Sequence, residues 1–480
     1  MIEGLRPYPD YKDSNLLSVS TIPRHWQSFK LKYVARTLGG LTPSKRMAAY
    51  WNGMMPWVTP KDMKTRVIRD SRNHISDRAL RNTGISVVPA PAVLFVVRGM
   101  ILARTFPVAE TRVPVTVNQD MKALVPKEGI ESSFLALLLA GIESEVLELV
   151  SEAGHGTRCL RTEKWANLAV PIPSRDEQAA IVRFLDHANH RIDCYIRAKR
   201  KLIALLNEQK QAIIQGVVTG GLEPKAPMKD SGVPWIGEIP AHWEAPAAIS
   251  GLRLIQTGPF GSQLHSHEYV NGGVPVINPI HIKEGRVVPA SDVTVSCEKA
   301  RVLGRHRFHE GDIVVARRGD LGRCAVVAPS GTGWICGTGS LLLRCRLEAF
   351  VPQYFQAVFS SAGVCAELAA ASIGSTMANL NAGMVARLRL PRPPLEEQLR
   401  IVEAVSVVAS RFAAATALIE KEIGIVREYR TRLIADVVAG QLDVREAARN
   451  FPDVNPEELE AEPTESEAEA DLDPAESEAA

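Results

Sequence analysis

PIPSRDEQAAIVRFLDHANHRIDCYIRAKRKLIALLNEQKQAIIQGVV occupies 171–218, and its opening returns 220 residues later as PRPPLEEQLRIV at 391–402. From 175 to 218 there is no proline and one glycine, Gly216. Residues at spacing seven form two stripes: Leu185, Ile192, Lys199, Leu206, Ile213 and Ile181, Ala188, Tyr195, Leu202, Gln209. This is a heptad seam over about five repeats, with Lys199 and Gln209 as polar breaks, and it predicts one long helix. Ser174 or Asp176 is the candidate start cap, and Gly220 and Gly221 are the stop. Adding 220 carries the stripes to Val405, Phe412, Ile419, Val426, Leu433 and to Ile401, Val408, Ala415, Glu422, Tyr429, so a second long helix is expected over 395–438. About 38 residues make a helix of roughly 57 Å, longer than a small domain is wide. The two seams are therefore expected to pack on each other rather than on separate domains, antiparallel if a two-fold axis crosses them.

The repetition reaches beyond the helices. KDSNLLSVSTIPRHW (12–26) returns as KDSGVPWIGEIPAHW (229–243), an offset of 217. NGMMPWVTPKDM (52–63) returns as NGGVPVINPIHI (271–282), and VVRGMI (96–101) as ARRGDL (316–321), at offsets of 219 and 220. A period this long is no solenoid unit; it is a duplicated domain with its connector. Each copy mixes strand-like runs, such as SVVPAPAVLFVV (86–97) and VPVTVNQDMKALV (113–125), with a helical stretch, FLALLLAGIESEVLELV (134–150). The expected fold is α+β: two mixed α/β domains joined by two long antiparallel helices, an intramolecular coiled coil with pseudo-two-fold symmetry. The expected pieces are a first domain with its lead-in (1–170), a helical spacer and linker (171–242), a second domain (243–390), a distal spacer (391–451) and an acidic tail (452–480).

Composition is that of an ordinary globular protein, with 46% hydrophobic and 23% charged residues. No signal-peptide pattern opens the chain, and the longest apolar run, near 134–140, is too short to span a bilayer. Seven scattered cysteines without a CxxC pair read as reduced thiols in the cytoplasm. The net charge of +2 hides an asymmetry, because 452–480 carries 12 Asp and Glu and no Lys or Arg. Without those twelve the charge of 1–451 is +14. Such a body suits a polyanion such as double-stranded DNA. The tail is expected to be disordered, and one reading of it is a phosphate mimic that limits non-specific DNA binding.

A symmetric dimer reads a palindrome because protein and DNA share the two-fold axis. A fused pseudo-dimer with two different heads instead predicts a bipartite, asymmetric site, its half-site centres about 10–15 bp apart. Arg and Lys would neutralise phosphates, while Arg, Asn, Gln and Thr would read bases. Candidates in the first head are Lys45, Arg46, Thr59, Lys61, Lys64, Arg98, Arg104, Arg158 and Arg161. Those in the second are Asn278, His281, Lys283, Arg317, Arg318 and Arg323. Arg317 and Arg318 beside Gly319, and the GHGTR loop at 154–158, rank first, since glycine lets a backbone approach a phosphate.

These features resemble the specificity subunit of type I restriction-modification systems. The likeness rests on GLTP (40–43), YWNG (50–53), PWVT (56–59) with Asp62, NQDMK (118–122) and the Pro-x-Pro-x-x-x-Glu-Gln of 171–178. In the second copy it rests on KDSGVPWIGEIPAHWE (229–244), GDIVVARRGDLG (311–322) and the Pro-x-Pro-x-x-x-Glu-Gln of 391–398. It covers nearly all of 12–442. The resemblance implies two target-recognition domains and helical regions that act as spacer and as docking surface for two methyltransferase subunits. Restriction subunits then join the complex, and S-adenosylmethionine, ATP and Mg serve those partners. Asn15, Leu16 and Leu17 stand where the second lead-in has Gly232, Val233 and Pro234, and the acidic tail lies outside the family pattern.

Motifs for catalysis are missing. The tetrad at 278–281 lacks the second proline and the aromatic of a methyltransferase motif, and no GxxxxGK[ST] loop exists. GTGWICGTG (331–339) reads as a β-loop. His265 and His267 beside Glu268 have no partner spacing for zinc, and no GxSxG frame is present. The chain is thus expected to be non-catalytic and metal-free. The alternatives are a fragment of a fused restriction-methylation enzyme, or a coiled-coil adaptor that binds no DNA.

Overall fold

The computed structural model describes residues 5–14, 20–152, 156–319, 321–371 and 380–451. Asn15, Leu16 and Leu17 of the first lead-in, Gly154 and His155 of the glycine loop, and the acidic segment lie outside them. The chain divides into two compact units, Met1–Ala198 with Lys421–Ala480, and Lys199–Glu420. The long helices are Arg175–Gly220 and Leu395–Val438, and each contributes one half to either unit.

In unit 1 a five-stranded sheet runs in the order Ala35–Gly39, Met121–Pro126, Ala92–Val96, Val108–Thr111, Val67–Ile68. Its central strand, Ala92–Val96, is buried at every residue, which is why it reads as continuous apolar sequence rather than an alternation. A second sheet sets Trp51–Val58 between Thr116–Val117 (parallel) and His74–Ile75 (antiparallel). Unit 2 repeats this plan at offsets of 216–220. Its first sheet runs Leu252–Thr257, Ser340–Cys345, Ile313–Ala316, Cys324–Val326, and its second sets Val274–Ile277 between Ile335–Cys336 (parallel) and Thr294–Val295 (antiparallel). Even the caps agree: Ser76 accepts from Ala79 N at 3.3 Å and Ser296 from Lys299 N at 3.1 Å, each opening a helix.

One expected helix is two. The stretch 134–150 forms Ser132–Gly141 and Glu143–Glu148. A Cβ on Gly141 would stand 2.5 Å from Val438 Cγ2 and 3.3 Å from Ala435 Cα, so the first helix ends pressed against the second long helix. That is a long-range contact that local periodicity does not report.

Within unit 1, Ile181, Phe184 and Leu185 share a core with Leu433, Val437 and Val438. Asp193 pairs with Arg430, and the Tyr195 hydroxyl donates to Glu422 Oε2 at 3.3 Å. Within unit 2, Val218 shares a core with Ile401, and Ile214 and Val405 pack beside them. In both units early positions of one helix meet late positions of the other, so the pairing is antiparallel. The heptad reading needs one correction. A straight helix drifts about 20° per heptad, so four heptads after Leu185 the stripe has turned by roughly 80°. Ile213 is accordingly 36% exposed, and Ile214 and Val217 face the core instead. The apolar-run reading needs another, since Leu395–Val438 is long and apolar enough by length and composition to cross a bilayer. Here Ile419 and Leu433 of its seam are buried, with Ile423 between them, while most of its apolar window is not.

The Glu-Gln pair of the repeated motif fastens each helix start. Gln178 Oε1 accepts from Glu131 N at 2.9 Å, while its Nε2 donates to Gly129 O at 3.0 Å and Pro173 O at 3.1 Å. Gln398 does the same at the equivalent places, accepting from Val351 N at 2.8 Å and donating to Ala349 O and Pro393 O at 2.9 Å. The glutamates hold the lead-ins, with Glu177 2.9 Å from His25 Nε2 and Glu397 2.7 Å from His242 Nε2. The motif and the lead-in repeat together because they bond to each other.

Candidate nucleic-acid interface

In each head one tight turn gathers the candidate loops. In head 1 the turn is Asn118, Gln119 and Asp120. Asn118 N donates to Val58 O at 3.0 Å, fixing the loop that carries Thr59, Lys61 and Lys64. Leu41 N donates to Val117 O at 3.0 Å, and a Cβ on Gly40 would sit 1.9 Å from Asn118 O, so only glycine lets the 40–46 loop approach this closely. Val97 N and Arg98 N both donate to Asp120 O, at 2.8 and 3.2 Å. Leu160 N donates to Val97 O at 2.8 Å and Gly99 N to Arg158 O at 3.0 Å, which adds the 156–161 segment.

Head 2 builds the same turn from Gly337, Thr338 and Gly339. Gly337 N donates to Ile277 O at 2.9 Å, Arg317 N to Gly339 O at 2.9 Å, and Leu380 N to Arg317 O at 2.9 Å. A Cβ on Gly258 would sit 1.8 Å from Gly337 O, the counterpart of Gly40. The glycine-rich 331–339 segment is thus a strand and turn, with Ile335–Cys336 pairing to Val276 and Ile277.

Lys45, Arg46, Lys61, Lys64, Arg98, Arg104 and Arg161 are exposed in head 1, as are Lys283 and Arg318 in head 2. Arg104 stands apart from the turn, at the end of the 3-10 helix Met100–Ala103. Arg158 is half-buried and 3.7 Å from Glu152. Arg317 Nε donates to Leu380 O at 3.0 Å and Arg323 Nη1 to Pro279 O at 3.4 Å, so both arginines help to hold their loops. Exposed cations around one turn present the donors that phosphates require, with the electrostatics independent of sequence.

Three candidates also make local bonds in their own turns. Thr59 caps the 3-10 turn Pro60–Asp62: its N and Oγ1 both donate to Asp62 Oδ2 at 2.7 Å. Asn278 caps the matching turn Pro279–His281, where its N donates to His281 Nδ1 at 3.1 Å. His281 is only 5% exposed, and burial pushes its pKa below the ordinary histidine value, which suits a neutral acceptor. Head 2 therefore has histidine where head 1 has Asp62 at the matching place of the turn.

Sequence reasoning passed over the turn tips. Gln119 and Thr338 are both exposed, stand 219 residues apart, and sit at the centre of their loop clusters. NQD and GTG share no residue, so identity-based comparison hides them; the offset alone finds them. Arg66 is committed elsewhere, 3.1 Å from Asp186, whose carboxyl is raised by burial against the opposing pull of that arginine. Among the described residues no group of three His, Cys, Asp or Glu is placed to hold a metal. The His265 and His267 rings stack at 5.4 Å, and Glu268 accepts from His265 N at 2.7 Å as a local cap.

Comparison with known proteins adds the family. The family model described as the type I restriction modification DNA specificity domain matches residues 23–199 and 258–423. The chain is 32% identical over 182 residues to the EcoR124I/EcoR124II specificity subunit of Escherichia coli, covering 38% of this chain and 44% of that one. It is 26% identical over 283 residues to the MjaIX specificity subunit of Methanocaldococcus jannaschii, covering 57% and 62%. The matches thus span roughly half of these curated relatives' length. A solved chain described under complex assembly and conformational transition of the type I R-M system shares the fold at a TM-score of 0.60 and 15% identity, over 87% of this chain and 98% of that one. The two matched segments take in most of the chain and both loop clusters, and the chain belongs to the type I restriction modification DNA specificity family.

Proposed function

We propose that the chain is the sequence-specific DNA-binding subunit of a type I restriction-modification complex. The observation that carries this reading is a pair of heads with one framework and different exposed residues at its centre, Gln119 against Thr338. Each head reads one half of a bipartite, asymmetric site. The long helices, of 46 and 44 residues, set the gap and dock two methyltransferase subunits, and restriction subunits join through the complex. The chain itself is non-catalytic and works in the cytoplasm. Adenine methylation and ATP-dependent cleavage, with their S-adenosylmethionine, ATP and Mg, belong to the partners. Methylation mapping of DNA from cells that express the chain with its methyltransferase is the test. A split motif with a fixed gap is expected; a palindromic or continuous motif defeats the reading. Inserting a heptad into each long helix should change the gap and leave both half-sites unchanged.

A further inference from the structure

The geometry points to Gln119 and Thr338 as the base-reading residues at equivalent places in the two heads, Gln119 for an adenine and Thr338 for a thymine; this rests on the DNA-reading role proposed above. Both are exposed tips of a turn whose backbone is fixed by three hydrogen bonds. In head 1 the fixing bonds run from Asn118 N to Val58 O (3.0 Å) and from Val97 N and Arg98 N to Asp120 O (2.8 and 3.2 Å). In head 2 they run from Gly337 N to Ile277 O, Arg317 N to Gly339 O and Ser340 N to Gly337 O, at 2.9, 2.9 and 3.0 Å. A tip held this way spends little freedom on binding, which is what discrimination between bases needs. The flanking loops carry the cations that set register on phosphates: Lys45, Arg46 and Arg98 beside Gln119, and Arg318 beside Thr338.

The side-chain chemistry differs where the two half-sites must differ. The Gln119 amide has an acceptor and a donor, the pair that matches adenine N6 and N7 in the major groove. The Thr42 hydroxyl donates to Gln119 Oε1, which orients the amide and leaves that oxygen a second lone pair. Among the described residues its nitrogen has no protein partner. Thr338 offers a methyl to the thymine C5-methyl, a contact that asks nothing of its hydroxyl. Thr59, the more obvious reader by residue type in head 1, has its hydroxyl bonded to Asp62 Oδ2 at 2.7 Å.

The full chain is used to select from a pool of random duplexes, and the enriched motif is compared among variants. Gln119→Ala should erase an adenine preference of about tenfold or more at one position of one half-site, and Gln119→Glu should turn it toward cytosine. Thr338→Ser, which drops the methyl, should erase a thymine preference in the other half-site, while Thr338→Val, which keeps it, should not. Each variant should leave the opposite half-site intact, which a misfolded chain does not do. If the wild type enriches a split motif and these variants enrich the same bases, the assignment is overturned while the DNA-reading role stands. If the wild type enriches no split motif, that role falls and the assignment with it.

Discussion

Asp312 is 1% exposed and receives Arg344 through Nε and Nη2, each at 2.7 Å, with a third bond of 2.7 Å from His309 N. Strand register shows what the other head does at this place. Val93 pairs with Leu124 in unit 1 and Ile313 with Leu343 in unit 2, so Asp312 and Arg344 stand where Ala92 and Val125 do. Pro89, which has no N–H to satisfy, stands where His309 does. One fold thus carries an apolar and an ionic solution to the same spot. Breaking the pair is costly because a charge stays behind; replacing both partners is not. Asp312→Ala should cost about 3 kcal/mol, the low end for a buried pair because Arg344 is partly exposed, and Asp312→Ala with Arg344→Val should recover more than half. Urea unfolding of the three chains checks this, and a double variant no better than the single one refutes it. Glu397 makes a second case. Burial pushes its carboxyl up, but bonds from Trp243 and His242, with the nearby charges of His242 and Arg400, outweigh that and hold it below the ordinary 4.5. A lowered carboxyl contributes stability that is full above 4.5 and lost as pH falls through the folded value. The stability difference between wild type and Glu397→Gln should therefore be present at neutral pH and shrink below 4.5. A difference independent of pH in acid unfolding curves counts against it. The repeated Glu-Gln was plain in the sequence, but its distant bonding partners, Glu131 and Gly129 more than 40 residues from Gln178 and His242 more than 150 from Glu397, were not.

At the scale of elements, the long helices were legible because a period sustained over 44 residues outweighs local noise. What the heptad could not supply was the phase at the far end, where the helix keeps its own turn. Ile213 and Ile214 separate the two periods cleanly. Ile213→Ala should change stability by less than about 0.5 kcal/mol, as for an exposed site. Ile214→Ala, packed on the unit 2 core, should cost about 2 kcal/mol. The reverse order in denaturant midpoints would restore the strict heptad. Shorter elements were less legible for a physical reason. Thr116–Val117 and Ile335–Cys336 have two residues each and are strands only because Trp51–Val58 and Val274–Ile277 lie alongside. The break between Ser132–Gly141 and Glu143–Glu148 falls at Gly141, a local stop signal that also lies close against the second long helix.

At the scale of the molecule, the duplication preserves what holds the heads together and varies what they expose. Gly40 and Gly258 make the same close approach, Gln178 and Gln398 the same three bonds, yet the turn tips are Gln119 and Thr338. The repeat therefore foretold the framework well and the reading residues poorly, because frameworks leave identical residues behind and reading positions do not. One feature breaks the duplication altogether. The 12 carboxylates of 452–480 follow Phe451, which stacks on His187 at 4.0 Å beside Phe184. His187 neighbours Asp186, the partner of Arg66 at 3.1 Å, and Arg66 closes the segment that carries Lys61 and Lys64. Phe451 thus packs within the same unit as the cationic loops of head 1. Like charge on a tether competes with phosphate for the same cations, and more so where salt does not screen it. Deleting 452–480 moves the net charge from +2 to +14. The shortened chain should bind an unrelated duplex about tenfold more tightly at roughly 50 mM salt, with a steeper fall of affinity on adding salt. At about 1 M salt, where screening reaches only about 3 Å, the two chains should converge. Preference for the split motif over unrelated DNA should be lower in the shortened chain, since only the sequence-independent contacts gain. Equal non-specific affinity of the two chains at low salt would mean that the acidic segment does not compete for these cations.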